Sequence, residues 1–176
     1  MGFAKVYSAQ TSFLNARIVD VEVDLSKGLH AFSIVGLPDK AVEESKDRMS
    51  AAIKNSGYTS PKSKNQKVVV ALAPADIRKE GPSFDISIAL SYLLAAGEIR
   101  FNPEKKLFLG ELALDGEVRP IKGILPLAAQ AQKQGFKEIY VPVKNTEEAA
   151  LIDGVSVFGV KTLKNLIDHL NEKKYE

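Results

Sequence analysis

The chain has 176 residues, a formal net charge of +2, 45% hydrophobic and 26% charged residues, which suits one domain of ordinary size with a core of its own and calls for no exotic compositional class. Cysteine is absent, which removes disulfides, thiolate metal sites and cysteine nucleophiles together and fits a reducing, cytoplasmic setting. No apolar run approaches the roughly 18 residues that a membrane span requires, and in the opening MGFAKVYSAQ Val6 stands where a myristoylation signal wants Ser or Thr, so no membrane anchor is expected.

Phe3 to Ala9 and Leu14 to Leu25 alternate with period two, clearest where Ile18, Val19, Val21 and Val23 are set against Arg17, Asp20, Glu22 and Asp24. Such alternation predicts half-buried antiparallel strands. Ser26-Lys27-Gly28 reads as a hairpin turn into a third strand, Leu29 to Val35. Pro38 and Asp39 then start an amphipathic helix that runs to Gly57 and carries Lys40, Glu43, Glu44, Lys46, Asp47, Arg48 and Lys54 on its solvated face. The loop Thr59 to Lys67 holds Lys62, Lys64 and Lys67 without an acid, and the apolar run from Val68 predicts a central strand covered on both faces.

From Ile86 to Gly97 the helix pattern leaves few polar positions, so a helix buried nearly all round is expected. Leu107 to Leu114, the Asp115-Gly116 turn and Val118 predict a hairpin. A helix over Gly123 to Gln134, a strand over Lys137 to Val141, a short helix over Thr146 to Leu151, a strand over Val155 to Phe158 and a helix over Lys161 to Leu170 follow, with a frayed tail EKKYE. Strands first and strand-helix alternation later imply an α/β mixed sheet with packed helices, as a single domain over residues 1–176.

Chemistry is sparse. Gly154 and Gly159 are spaced as in a phosphate loop, but Lys161 comes one residue late and Val-Ser-Val-Phe between them alternates like a strand. His30 and His169 do not form a metal pair by local spacing, so no metal site is expected. Ser83, after Gly81-Pro82, is either the cap of the buried helix or a nucleophile raised on a tight turn. Lys62, Lys64 and Lys67, with Arg78 and Lys79, are the candidate nucleic-acid contacts, though they flank opposite ends of one strand.

The stretches RKEGPSFDISIALSYLLAAGEI, LGELALDGEVRPIKGILPLAAQAQKQGFKEIYVP and IVGLPDKAVEESKDRMSAAIKNSGY resemble the N-terminal domain of the Mg-chelatase-like AAA+ proteins of the ComM/YifB group. More distantly, the Gly-Pro-Ser turn, the buried helix and the later GEL, DG and VRPI segments are similar to the proteolytic domain of Lon. The resemblance implies the ribosomal protein S5 domain 2-like (Lon-like) fold. It also implies that Ser83 matches the nucleophile of Lon while Leu125 occupies the position of the base lysine, and that Phe84-Asp85 would crowd an extended peptide.

The expectation is therefore a noncatalytic accessory domain, with Ser83 as a vestigial serine acting as helix cap and Asp85 complementing the helix dipole. Without Walker motifs the chain needs no cofactor of its own; ATP and Mg would belong to the AAA+ module of a longer parent protein. DNA and a homo-oligomeric ring are the implied partners, in DNA processing of the natural-transformation or branch-migration type. A Ser-Lys peptidase with a relocated lysine, Lys122 being the neighbour across Gly123, and a purely structural oligomerisation module are the alternatives.

Overall fold

Period-two patterning lays down the first layer. The structure, a computed structural model, describes residues 2–12 and 15–172, so the expected strand start at Leu14 and the tail from Lys173 lie outside the described residues. β1 (Phe3–Ser12) and β2 (Asn15–Lys27) form a long antiparallel pair from Phe3 opposite Asp24 to Ser12 opposite Asn15. β3 (Ala31–Val35) and β4 (Gln66–Ala73) complete one half of a seven-stranded sheet of order β3-β4-β2-β1-β5-β8-β9. β5 (Lys106–Phe108), β8 (Glu138–Pro142) and β9 (Ser156–Val160) add the other half, all in parallel pairs. A separate two-stranded ribbon joins β6 (Glu111–Leu112) to β7 (Val118–Arg119).

Three expectations change here. β2 and β3 do not pair as a hairpin: the chain reverses after Lys27 but leaves a gap one strand wide, and β4 fills it, antiparallel to β2 and parallel to β3. β4 is central in pairing yet covered on one face only, since Lys67 and Val69 are exposed while Val68, Val70 and Leu72 are buried. The expected hairpin from Leu107 is divided, because Leu107 and Phe108 join the main sheet and only Glu111 and Leu112 pair with the returning strand.

The helices lie on two sides. α1 (Lys40–Glu43) and α2 (Ser45–Asn55) replace the single expected helix, with a break at Glu44. They pack with α3 (Asp85–Ala95) and α6 (Leu163–Glu172) over one sheet face, on a core that includes Val21, Val70, Met49, Ile88, Leu90 and Ile167. α3 is buried at every position except Leu94, as its near-continuous apolar sequence requires. α4 (Ile124–Lys133) and α5 (Thr146–Ala149) cover the opposite face of the β1-β5-β8 half, on Ala9, Leu107, Leu109, Ile139 and Val141. That arrangement brings the N-terminal end of α3, the end of β1 and the loop before α4 to one place.

Candidate functional site

The turn between β4 and α3 is fixed by polar side chains from neighbouring elements. Gln10, buried at the end of β1, donates from Nε2 to the Arg78 carbonyl at 2.7 Å and accepts from the Glu80 N–H at 3.0 Å. Asp39 caps α1 by accepting from the Val42 N–H at 2.8 Å, and its second oxygen accepts from the Gly81 N–H at 3.1 Å. Gly110 lies so close beneath the helix start that a Cβ there would stand 2.6 Å from Ile86 Cδ1 and 2.9 Å from Val118 Cγ1. Only glycine lets that backbone approach.

Ser83 does not cap α3. The residue before the helix is Phe84, with helical φ −86° and ψ −6° and no side-chain cap bond. The N–H groups that a cap would serve are taken by backbone carbonyls, Asp85 N–H by Pro82 at 3.3 Å and Ile86 N–H by Gly110 at 3.3 Å. The Ser83 carbonyl accepts from the Gly110 N–H at 3.0 Å, while its half-buried hydroxyl has no hydrogen-bond partner among the described residues. Phe84 and Asp85 are both fully buried, so they point into the core and do not crowd the turn.

Asp85 does more than complement the helix dipole. Its carboxylate accepts from Ser45 Oγ at 2.6 Å, Arg48 Nε at 2.6 Å, Arg48 Nη2 at 3.0 Å and the Leu112 N–H at 3.0 Å. Burial pushes this carboxyl up, and the hydrogen bonds from Arg48, Ser45 and Leu112 oppose the push. Arg48 was expected on the solvated face of its helix; instead its side chain is 18% exposed and turned inward to this pair. The break at Glu44 places Ser45 and Arg48 on the side that faces α3. A buried carboxylate needs a partner, and nothing in the linear spacing marks Arg48 as that partner, since it falls among the charged positions of its helix.

Beside the turn lies a cavity of about 350 Å³ lined by Thr11, Glu80, Ser83, Glu111, Ile121 and Lys122 among others. Ser83 and the exposed Lys122 share it without a hydrogen bond between them. Leu125, at the position expected for a base, is outside its lining, and Leu127 supplies the apolar wall from α4.

The five candidate basic residues do not act as one group. Lys79 is fully buried: its Nζ donates to the carbonyls of Gly36, at 2.7 Å, and Pro74. Burial pushes this ammonium below its ordinary value. It is a structural tie, and as a nucleic-acid contact it is withdrawn. Arg78 is exposed, 3.8 Å from Glu80. Lys62, Lys64 and Lys67 lie at the other end of β4, about 25 Å away along eight residues of strand, with Lys67 on the same side of β4 as the exposed Val69. Lys62 is exposed and bonds Asp47 at 2.6 Å, an interaction that holds the Asp47 carboxyl below its usual range. Lys54, from α2, joins Lys62 around a shallow hollow of about 430 Å³ with Ser50, Ser60 and Ser63, a cation that the linear spacing had left on a separate helix. Among the described residues no three His, Asp or Glu side chains gather as a metal site, and no helix is long and apolar enough to cross a membrane.

Residues 21–145 match the family described as subunit ChlI of Mg-chelatase. The chain is 36% identical over 172 residues to the competence protein ComM of Haemophilus influenzae, covering 97% of this chain and 33% of ComM. It is 39% identical over 155 residues to YifB of Escherichia coli, covering 88% of this chain and 30% of YifB. A shorter match, 32% identical over 99 residues, covers 55% of this chain and 18% of Lon protease 2 of Bacillus subtilis. The chain thus spans about a third of the length of ComM and YifB. With the mixed sheet and the buried helix behind the Gly-Pro-Ser turn in place, the chain belongs to the family of Mg-chelatase subunit ChlI, on a Lon-like α/β fold.

Proposed function

We propose that this chain is a noncatalytic accessory domain of an AAA+ Mg-chelatase-like ATPase engaged in DNA processing, and that its own contribution is to hold nucleic-acid phosphates with the lysines at the start of β4. The observation that supports this is the convergence of the exposed Lys54 and Lys62 on one hollow, which Asp47 also lines and where it bonds Lys62, with Lys64 and the exposed Lys67 following on the same chain segment. Exposed lysine ammonium groups suit phosphate oxygens and read no base sequence. ATP and Mg belong, in this reading, to the AAA+ module of a parent protein. Fluorescence anisotropy with a labelled DNA duplex tests it: Lys62→Gln, Lys64→Gln and Lys67→Gln together weaken binding to unrelated sequences alike. Unchanged affinity in that triple variant removes the segment from the reading.

A second reading rests on the Ser83 hydroxyl, which is unbonded among the described residues and shares its cavity with Lys122. A Ser-Lys peptidase needs the amine neutral, hence desolvated. Lys122 is exposed, which favours the noncatalytic reading. Covalent labelling of Ser83 by a serine-reactive probe, lost in Lys122→Met, supports the peptidase; absence of labelling at neutral and alkaline pH ends it.

A further inference from the structure

The connection from β2 to β3 crosses the end of the sheet. β4 lies between the two strands, so Gly28, Leu29 and His30 pass over its first residues and bridge a gap of roughly 10 Å. Leu29 stands at this crossing with 84% of its surface exposed, more than any other large apolar side chain among the described residues. Lys27 and His30, on either side of it in the chain, are exposed as well.

Lys67 reaches the same place from β4. It stands opposite Ser26 on β2 and Ala31 on β3, and its stem lies over Gly28, where an added Cβ would meet Lys67 Cε at 3.1 Å and Cδ and Cγ at 3.6 Å. Glycine at this position leaves room for a lysine stem beside the leucine. The segment that leads to Lys67 is tied at both ends to α3 and the turn after it. Thr59 N–H donates to Glu98 at 3.2 Å, and the buried Gln66 donates from Nε2 to the Tyr92 hydroxyl. The leucine and the lysines therefore share one fixed end of the sheet.

Neither segment that meets here, Ser26 to Ala31 or Thr59 to Lys67, contains an acidic residue. Asp24, Glu22 and Asp20 share the sheet face of Lys67, but Asp24, the first of them, lies two residues back along β2, roughly 7 Å away, and Asp20 is bonded by Lys5. Asp47 is bonded to Lys62. A single exposed leucine is ordinary on a protein surface. Held at the tip of a turn between cations, it has the arrangement with which minor-groove proteins part base steps: cations on the phosphates, an apolar side chain between the bases. A membrane suits it less, because one leucine buries far less than an acyl chain, and a single acyl chain gives only marginal membrane binding.

We propose that Leu29 is a DNA wedge: the turn between β2 and β3 enters the minor groove, Leu29 inserts between two base pairs, and Lys27 and Lys67 hold the flanking phosphates, so the duplex kinks where this domain binds. The inference rests on the DNA reading of the lysine segment and adds to it Leu29, Lys27 and the mode of contact. Because a wedge unstacks a base step, it favours steps that unstack easily, TA over an A-tract, without reading base edges.

Duplexes of one length with a donor and an acceptor fluorophore at their ends test it by energy transfer, with anisotropy for affinity. Wild type shortens the end-to-end distance as a kink of about 20–90° requires, and does so more with a central TA step than with an A-tract. Leu29→Ala leaves Tm unchanged, since the side chain is exposed. It weakens binding about threefold to tenfold, the unstacking cost offsetting part of the leucine's burial, and abolishes the shortening at saturating protein. Its slope of log affinity against log salt stays at the wild-type value, whereas Lys27→Gln makes the slope shallower by about one unit. Leu29→Phe, also apolar, keeps the kink. Vesicles of phosphatidylserine and phosphatidylcholine form the parallel arm. A wild type that binds DNA through the lysines yet leaves it straight, or Leu29→Ala that kinks DNA as wild type does, overturns the wedge and leaves the lysine reading standing. A wild type that binds no duplex overturns both. Vesicle binding that is lost in Leu29→Ala while its DNA affinity is unchanged overturns the wedge in favour of a membrane contact.

Discussion

Replacing Arg48 by Met keeps most of the stem but removes the donors that reach Asp85 at 2.6 and 3.0 Å and the Ala41 carbonyl at 2.7 Å. Asp85 is fully buried and would retain only the Ser45 hydroxyl and the Leu112 N–H. Removing one partner of a buried pair costs about 3–5 kcal/mol, because the remaining charge is uncompensated. The Arg48 side chain is 18% exposed, so water already reaches this pair and the loss belongs at the low end, about 3 kcal/mol. For a chain of this length each kcal/mol moves Tm by about 2–4 °C, giving a fall of about 6–12 °C. Urea and thermal unfolding followed by circular dichroism measure it. Adding Asp85→Asn to Arg48→Met removes the stranded charge, so the double variant is more stable than the sum of the single losses by at least about 1 kcal/mol. A loss under about 1 kcal/mol for Arg48→Met, or strict additivity, refutes the reasoning. The pH dependence has a definite sign. Burial raises the Asp85 carboxyl, and without Arg48 it sits higher still. An acid raised above its unfolded value penalises the fold at higher pH, and the penalty disappears as pH falls through the folded value towards the unfolded one. The gap between Arg48→Met and wild type therefore narrows on acidification.

Lys79→Met leaves the Gly36 and Pro74 carbonyls without their donor and is expected to cost about 2–6 kcal/mol, read by urea unfolding, at the rate of about 1–3 kcal/mol per unsatisfied buried group. Under conditions where it remains folded, its DNA affinity is that of wild type, since the ammonium is buried. Gln10→Ala removes both bonds to the Arg78–Glu80 segment; stability falls by about 1–3 kcal/mol and trypsin cuts after Arg78 faster than in wild type.

Much of the architecture was legible because it follows from periodicity. The alternation in β1 and β2 and the continuous apolar pattern of α3 each permit one placement, and the strand reading of Val155 to Phe158 holds in β9, whose N–H groups lie in a sheet where a phosphate loop would need them free. What escaped was long-range. No local signal distinguishes a β2-β3 hairpin from a crossover with β4 inserted between, because the same glycine turn serves both. Arg48 and Lys79 look like surface cations to a helix wheel or a charge count, and only the tertiary fold reveals that Asp85 and two carbonyls are waiting for them. Ser83 was placed at the right junction and given the wrong task, since backbone carbonyls from Pro82 and Gly110 reach the helix N–H groups first.

The direct test of phosphate contact by this domain is the salt dependence of its DNA affinity. Each phosphate neutralised contributes about 0.9 to the slope of log K against log salt concentration. With Lys62, Lys64 and Lys67 replaced by Gln, the account predicts a slope shallower by about two to three units and an affinity lowered equally for unrelated duplexes. An unchanged slope, or a wild-type chain whose DNA affinity does not respond to salt, contradicts it.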